Sequence, residues 1–319
     1  MKSLKIIFMG TAEFAVPCLK KLYESPHQIV AVVTAPDLPR GRGQKVSFTP
    51  VKEFAIEHNI DVIQPGVEKG SLRDPHFIEQ LKTYDADLFL VVAFRILPPE
   101  VFELPPLGSI NLHGSLLPKF RGAAPINWAV IRGEKETGVT TFIIQQKVDT
   151  GNMILQKSLS IGEDETAGEV HDRLSVLGAE TLLETVELVA AGNAPRLVQD
   201  ESLVSTAPKI FKEQCRVDWN LSALEIKNFV RGLSPHPCAY SVIHAEHFKI
   251  YKVTIDNDKT IEHQAAGTIA EIDKNDGIAV ASGDKKLVWI KEIQPPSKKK
   301  MSVQEFLRGH DVSSWIKFD

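Results

Sequence analysis

The sequence predicts an α/β protein in which a mostly parallel sheet, covered by helices on both faces, precedes a small β-barrel. The first half of the chain alternates nearly continuous apolar segments with segments of helical periodicity, which is typical of parallel strands buried on both faces. From about residue 208 the pattern changes to one amphipathic helix and then short strand-like runs that end at turns rich in Asp, Asn and Gly. Such spacing favours a small barrel.

The elements of the first half follow from these two periodicities. Strands are predicted at residues 5–10, 29–35, 61–65, 86–94, 108–114 and 139–145, and helices at residues 15–25, 50–59, 75–85, 124–133 and 167–192. Pro50 and Pro125 lie in the first turns of predicted helices, where proline is tolerated. Gly133 and Gly192 follow the last turns of two others, where glycine commonly ends a helix.

The domain organisation follows from the change of pattern after the last of these helices. We expect a first domain at residues 1–192, a linker at residues 193–207 and a second domain at residues 208–319. In the second domain a helix is predicted at residues 222–232. Ser222 and Glu225 form a capping-box pattern at its start, and Gly232 follows its last turn.

The charge is distributed unevenly along the chain. The formal net charge is −4, which argues against a general nucleic-acid binder. From Pro208 onward, however, 17 Lys and Arg face 15 Asp and Glu, so this part carries +2 and the rest −6. A mildly basic second domain permits contact with a phosphate backbone without requiring it.

Cysteine usage and hydropathy exclude several protein classes. Cys18, Cys215 and Cys238 are far apart and show no C-x-x-C spacing, so we expect neither a disulfide scaffold nor a zinc site, and no metal. No apolar run is long enough for a signal peptide or a membrane span. We therefore expect a cytoplasmic protein that does not associate with membranes.

The strongest local signal is Asn111-Leu112-His113, at the end of an apolar strand. Residues two apart on a strand point to the same face, and ligand sites of such sheets lie beyond the carboxyl ends of the strands. Asn111 and His113 are therefore candidates for a site. The alternative is that both side chains only satisfy carbonyl groups of the following loop, which is rich in proline and glycine.

Asp149 provides a third candidate group. It follows the strand predicted at residues 139–145 and precedes Gly151; the alternative is a turn residue that accepts a hydrogen bond from its own backbone. Together, an amide donor, an imidazole and a carboxylate suit transfer of a formyl group to an amine, which needs an oxyanion donor and a group that moves protons. No Ser or Cys lies in a nucleophile elbow, so direct attack by the amine is the simpler mechanism.

Two glycine-containing loops have different implications. The segment after the first strand, residues 10–14, does not match G-x-G-x-x-G, which argues against a dinucleotide cofactor. Residues 36–45 form a basic loop with Arg40, Arg42 and Lys45. This loop is either a solvated connection or a flap that grips a phosphate-rich acceptor.

Several segments of the chain resemble the methionyl-tRNA formyltransferases. The main one, GSINLHGSLLPKFRGAAPINWAVIRGEKETGVTTFIIQQKVDTGNMI, contains the N-x-H, S-L-L-P and D-x-G elements that formyltransferases share. The others are FMGTAEFAVPCL, GRGQKVSFTPVKEFA, STAPKIFKEQCRVDWNLSALEIKNFVRGLSPHPCAYSVI and KKKMSVQEFLRG. The similarity covers nearly the whole chain in the same order. Phe94 and Arg95 stand where the resemblance leads us to expect a Tyr-Gly pair.

The resemblance implies a Rossmann-like formyltransferase domain, a C-terminal OB-like barrel that binds tRNA, and a monomeric enzyme. It implies 10-formyltetrahydrofolate as formyl donor and methionyl initiator tRNA as acceptor. Asn111, His113 and Asp149 become the catalytic set. In this assignment Asn111 stabilises the oxyanion, His113 polarises the formyl oxygen or moves a proton, and Asp149 orients His113 or a water and helps receive the proton of the amine.

The resemblance also implies the binding residues. Ser115, Leu116, Leu117 and Pro118 line the folate site, and Arg40, Arg42 and Lys45 belong to the loop that contacts the tRNA acceptor stem. Two other hypotheses compete with this one: a formyltransferase for a small amine, and a non-enzymatic RNA-binding module. A small acceptor does not require a basic barrel, and intact candidate catalytic residues argue against loss of activity.

Overall fold

The computed structural model describes residues 2–40 and 45–318, and all of their side chains except those of residues 39–40, 45–46 and 257–258. The chain forms two compact units. The first comprises Met1–Gly122, Thr137–Leu159 and His171–Thr206, and the second comprises Ala123–Glu136, Ser160–Val170 and Ala207–Asp319.

The first unit is built on a seven-stranded sheet with a separate two-stranded ribbon. Its strands are β1 (Lys5–Gly10), β2 (Gln28–Val33), β3 (Leu38–Arg40), β4 (Lys45–Ser47), β5 (Val62–Ile63), β6 (Leu88–Val92), β7 (Ser109–His113), β8 (Glu136–Ile143) and β9 (Met153–Ser160). The order in the sheet is β5-β2-β1-β6-β7-β8-β9. Neighbours from β5 to β7 run parallel, and β8 is antiparallel to β7.

Helices connect the strands, and all but one lie at positions that periodicity predicts. They are α1 (Val16–Tyr23), α2 (Pro50–Glu57), α3 (Pro75–Lys82), α4 (Pro99–Phe102), α5 (Pro125–Ile131) and α6 (Ala167–Ala190). The short helix α4 was not predicted, because four residues give too short a periodic pattern. The side chains of Thr49 and Asp74 cap α2 and α3 by accepting hydrogen bonds from backbone N–H groups of their first turns. Gly133 and Gly192 end α5 and α6 with φ of 69° and 71°, a conformation that glycine adopts without strain.

Both faces of the parallel sheet are buried. Ile7 and Met9 of β1 belong to one apolar cluster, and the alternating residues Ile6 and Phe8 are fully buried as well. Strands covered on both sides are apolar at nearly every position, which explains the nearly continuous apolar segments of the first half.

The carboxyl ends of three neighbouring strands lie at one edge of this sheet. In the parallel register, Gly10 of β1 pairs with Val92 of β6 and Val92 pairs with Leu112 of β7. A Cβ added at Gly10 would lie 2.9 Å from side-chain atoms of both Ala15 and Phe8, which is too close for either contact. The chain therefore turns sharply at the edge where sites of parallel sheets form.

The second unit contains an antiparallel sheet together with α5, which lies in its segment Ala123–Glu136. Its strands are β10 (Ala239–Ile243), β11 (Glu246–Thr260), β12 (Ile269–Asp273), β13 (Gly277–Ala281), β14 (Lys286–Gln294) and β15 (Met301–Ser302), and two further helices are α7 (Ala223–Leu233) and α8 (Val303–Gly309). The order is β10-β11-β14-β13-β12, with β15 on β14. The predicted fold class, a mostly parallel sheet domain followed by a small β domain, is confirmed.

Helix α7 confirms one prediction and corrects another. Ser222 and Glu225 form the predicted capping box, with reciprocal bonds of 3.3 and 2.9 Å. Gly232, however, lies inside α7 and does not terminate it. A Cβ at Gly232 would lie 2.8 Å from the backbone nitrogen of Ile131, so this glycine permits close packing of α7 on α5.

Three further observations concern disulfide bonds, membrane-spanning helices and metal sites. The three cysteines are buried and free. Within residues 2–40 and 45–318, no helix combines the length and apolarity that crossing a membrane requires. Within the same ranges, His, Cys, Asp and Glu side chains form no cluster of three or more that could hold a metal ion.

Candidate active site

His113, the last residue of β7, is the first of the candidate catalytic residues. Its side chain is buried, with 6% of its surface exposed, and its Nε2 lies 2.9 Å from the carbonyl oxygen of Phe120. A carbonyl oxygen can only accept a hydrogen bond, so Nε2 carries the hydrogen. In the neutral form of this ring, Nδ1 is therefore the unprotonated nitrogen.

Asp149 lies opposite this nitrogen. Its Oδ2 is 4.0 Å from His113 Nδ1, and both side chains are largely shielded from solvent. The same oxygen accepts a hydrogen bond of 2.9 Å from the backbone N–H of Gly122. The separation from His113 is longer than a hydrogen bond, as is common before substrate binds.

The backbone around Asp149 is tightly constrained. Asp149 has a φ of 55°, in the left-handed region. Two residues later, a Cβ at Gly151 would lie 1.7 Å from the carbonyl oxygen of Ile143, so only glycine fits there. Thr150 closes the turn by donating to the carbonyl of Lys147 over 2.8 Å.

Asn111 lies two residues before His113 on β7. It pairs with Phe142 of β8 while His113 pairs with Thr140, so the two side chains share a face of the sheet. Asn111 is half-buried. In the described part of the chain its carboxamide has no hydrogen-bond partner, which leaves its N–H groups available to a ligand.

The four candidate folate-site residues follow His113 directly and are fixed onto β8. The Thr140 hydroxyl donates to Ser115 O over 2.6 Å and accepts from Leu117 N over 3.1 Å. Gln156 of β9 donates to Leu117 O over 2.7 Å. Ser115, Leu117 and Pro118 are buried and Leu116 is half-buried, so this segment forms a rigid wall beside His113.

Arg121 and Gln199 form a hydrogen-bonded network with the Asp149 turn, and neither residue was predicted as part of a site. Gln199 is buried and donates over 2.9 Å to both Asp149 O and Gly151 O. Its Oε1 accepts from Arg121 Nε and Nη2 at 3.0 and 2.7 Å. Gln199 lies in the segment interpreted as a linker, and no periodicity or motif marks it.

Arg95, which follows β6, ties two loops at the same edge of the sheet. Its guanidinium donates to Gly66 O over 2.7 Å, to Ser71 Oγ over 3.1 Å and to Pro65 O over 3.4 Å. Burial lowers the pKa of Arg95, and the nearby Glu68 opposes that shift. Arg95 therefore braces the segment after β5.

The candidate tRNA-loop residues lie only partly within the described region. Arg42 lies outside the described residues. Arg40 and Lys45 end β3 and begin β4, where they pair in an antiparallel register. At the base of this ribbon, Lys52 forms an ion pair with Asp37 and donates to Gln64 over 2.8 Å.

A surface cavity of about 420 Å³ lies away from this site. It is lined by residues around the start of β7 and the end of β8, among them Glu103, Ser109, Ile143 and Arg196. The start of β7 is the edge of the sheet opposite His113. The cavity is therefore separate from the group formed by His113 and Asp149.

Family models match both parts of the chain. The model described as formyl transferase matches residues 4–186, and the model described as formyl transferase, C-terminal domain, matches residues 209–311. The first match alone covers more than half of the chain.

Two solved structures that share the fold contain folate compounds according to their descriptions. WlaRD, described as a sugar 3N-formyl transferase in the presence of dTDP and 5-N-formyl-THF, has a TM-score of 0.64 and 20% identity; the match covers 94% of this chain and 100% of that one. HypX from Aquifex aeolicus in complex with tetrahydrofolic acid has a TM-score of 0.62 and 17% identity, over 96% of this chain and 47% of that one. At these identities the likeness concerns the fold alone.

Curated relatives are similar over nearly their entire length. A methionyl-tRNA formyltransferase from Clostridioides difficile is 47% identical over 314 residues, which cover 98% of this chain and 99% of the relative. One from Alkaliphilus oremlandii is 46% identical over 310 residues, which cover 97% of each chain. The chain belongs to the methionyl-tRNA formyltransferase family.

Proposed function

We propose that this protein transfers the formyl group of 10-formyltetrahydrofolate to the α-amino group of methionyl initiator tRNA, which yields the N-formylmethionyl-tRNA used in translation initiation. The observation that carries the proposal is the position of the buried His113–Asp149 pair, with Asn111 on the same face, at the carboxyl end of β7. Amide, imidazole and carboxylate are the groups that formyl transfer to an amine requires.

His113 acts as the proton acceptor in this proposal. Because Nε2–H is engaged by Phe120 O, only Nδ1 is free, and neutral Nδ1 accepts a proton but cannot donate one. An α-amino group titrates near pH 8, at about its reference value, so about a tenth of it is the free, nucleophilic amine at pH 7. As its nitrogen bonds to the formyl carbon, His113 Nδ1 takes the proton that the amine loses.

Asp149 compensates the charge that His113 gains. Protonated Nδ1 faces a carboxylate oxygen 4.0 Å away, and a small approach converts this separation into a charge-assisted hydrogen bond. When the bond between the formyl carbon and the donor nitrogen breaks, the protonated His113 returns its proton to that nitrogen. The proton balance of the transfer is thereby closed.

Asn111 stabilises the formyl oxygen. Negative charge develops on this oxygen while the amine attacks, and a preorganised amide N–H is effective in such a position. The carboxamide is half-buried and makes no hydrogen bond within the described residues, so donating to a ligand does not require breaking an existing bond.

The donor and the acceptor are assigned to different parts of the chain. The donor supplies an activated formyl carbon, and Ser115, Leu116, Leu117 and Pro118 form the wall that holds it beside His113. The proposal assigns catalysis to residues 1–192 and tRNA binding to residues 208–319 together with Arg40, Arg42 and Lys45; residues 193–207 join the two domains. The acting species is a monomer, in the cytoplasm where charged initiator tRNA is made.

The test is a comparison of acceptors. The protein is incubated with 10-formyltetrahydrofolate labelled in the formyl group and either methionyl initiator tRNA or small amines such as free methionine and amino sugars. The proposal predicts label on the methionyl α-amino group of the tRNA and not on the small amines. Transfer to small amines with none to the tRNA contradicts it.

A further inference from the structure

We infer that Gln199 is a positioning residue that holds the Asp149 carboxylate at its place opposite Nδ1 of His113. This inference rests on the proposed function, because it assigns a role at the same site. The residue lies in the segment between the two predicted domains, for which the sequence indicates only a connection. In the structure this segment is part of the first unit and contributes a buried side chain to the back of the site.

The carboxamide of Gln199 is fully hydrogen-bonded. Its Nε2 donates to Asp149 O and Gly151 O, each over 2.9 Å. Its Oε1 accepts two bonds from Arg121, at 3.0 and 2.7 Å. A glutamine amide has two N–H donors and an oxygen with two lone pairs, so every bond this group can make is made. Such saturation, with 5% of the residue exposed, distinguishes Gln199 from a residue of a solvated connection.

These bonds close a ring around the catalytic carboxylate. Asp149 Oδ2 accepts from Gly122 N over 2.9 Å, Gly122 is the chain neighbour of Arg121, Arg121 bonds to Gln199, and Gln199 bonds to Asp149 O. Gln199 therefore holds the backbone of Asp149 directly, and it acts on the side chain of Asp149 through Arg121 and the neighbouring Gly122. Because Asp149 has a φ of 55°, this support opposes relaxation to a more favourable backbone conformation.

The same segment also fixes the partner of His113. The Ser205 hydroxyl accepts from Phe120 N over 2.9 Å, and Ser205 O accepts from Arg121 N over 2.9 Å. Phe120 O is the group that binds His113 Nε2. Residues 199–205 thus hold the supports of both His113 and Asp149, and the 4.0 Å separation between them depends on this segment.

The first measurement compares turnover with binding. Gln199→Met removes all four hydrogen bonds at similar volume, and Gln199→Glu keeps acceptance from Arg121 but replaces the two N–H donors with oxygen. We expect both variants to lower kcat by about tenfold or more, because small misplacements of catalytic groups are costly. KM for 10-formyltetrahydrofolate should stay within about twofold. Val198→Ser, at the exposed neighbouring position, is the matched control and should turn over as the unsubstituted protein does.

The second measurement separates positioning from mere structural support. If Gln199 acts through Asp149, then adding Gln199→Met to Asp149→Asn should change the residual turnover by less than about twofold. Thermal unfolding of each variant verifies that the protein is folded at the assay temperature, and Gln199→Glu carries the test if Gln199→Met is not. Full additivity with Asp149→Asn, or unchanged turnover in both folded Gln199 variants, overturns the inference.

The failure of this inference is distinguishable from failure of the proposed function. Loss of turnover in Asp149→Asn, together with unchanged turnover in the Gln199 variants, overturns the inference alone. Unchanged turnover in Asp149→Asn removes Asp149 from the mechanism, and the positioning role falls with it.

Discussion

His113 shows how a single residue satisfies two interpretations that the sequence left as alternatives. A histidine at a strand end either satisfies a loop carbonyl or takes part in chemistry. Nε2 binds Phe120 O and Nδ1 faces Asp149. In the proposed mechanism, the first bond fixes the tautomer of the neutral ring, so that Nδ1 accepts a proton and the ring does not donate to the formyl oxygen. The sequence could place the residue but not assign its nitrogens, because that assignment depends on a carbonyl seven residues away.

The substitution Asn111→Ala tests whether the Asn111 side chain donates a hydrogen bond to the formyl oxygen. Removing one oxyanion donor typically costs about 100- to 1000-fold in kcat, and we expect a loss in this range. Because the side chain forms no hydrogen bond within the described residues, the unfolding midpoint should change little. Steady-state kinetics and thermal unfolding of the same preparation measure both quantities. A kcat near that of the unsubstituted protein would exclude Asn111 as the donor.

At the scale of elements, the strands and helices that bury continuous apolar surface could be predicted, and those that do not were missed. β9 was not predicted, because its burial alternates between partly buried and exposed positions and its residues include Gln156 and Lys157. β3 and β4 were interpreted as a loop, because three residues give too short a pattern. Residues 199–205 are held by hydrogen bonds from Phe120 and Arg121, and such long-range bonds leave no periodicity.

The starts of β1 and β2 provide a test of stability against pH. Leu4 N, just before β1, donates to Nδ1 of the buried His27 over 3.2 Å, so Nδ1 must be unprotonated. Burial lowers the pKa of His27, and Glu187 partly opposes the shift. The unfolded chain, with a His pKa of about 6.5, therefore binds the proton at a higher pH than the folded chain does. The stability that neutral His27 contributes is fully present above the unfolded-state pKa of about 6.5. It is lost as the pH falls from there through the lower pKa of the folded state.

His27→Asn is the matched variant, because its Oδ1 can replace Nδ1 as acceptor and does not titrate. Thermal unfolding at about pH 7.5 and about pH 5.5 should show a smaller loss of stability on acidification in His27→Asn than in the unsubstituted protein. Equal losses in the two proteins would show that His27 does not contribute to the pH dependence.

At the scale of the whole molecule, charge and family membership together determine what the acceptor can be. The net charge of −4 argues against general nucleic-acid binding, yet residues from Pro208 onward carry +2, and the sequence segment 36–45 includes Arg40, Arg42 and Lys45. Relatives of the same family match over 97% or more of the chain. If the protein binds tRNA through phosphate contacts, its affinity for tRNA should fall as the salt concentration rises.

Arg42→Ala tests the proposed contact of the basic loop with tRNA. If Arg42 contacts one phosphate, the slope of log affinity against log salt concentration should become shallower by about 0.9 for duplex RNA. Binding of 10-formyltetrahydrofolate should be unchanged. Filter binding over a salt series and titration of folate fluorescence measure the two quantities. An equal loss of folate affinity would place the loop at the donor site instead.

The most direct test of the account is a single-turnover measurement of formyl transfer to methionyl initiator tRNA by His113→Asn, Asp149→Asn and the double variant. If the two side chains act as one proton-accepting unit, each single substitution lowers the rate by about 100-fold or more, and the double variant is no slower than the slower single variant within about threefold. Rates that stay near that of the unsubstituted protein in both single variants, with both proteins folded, would contradict the account.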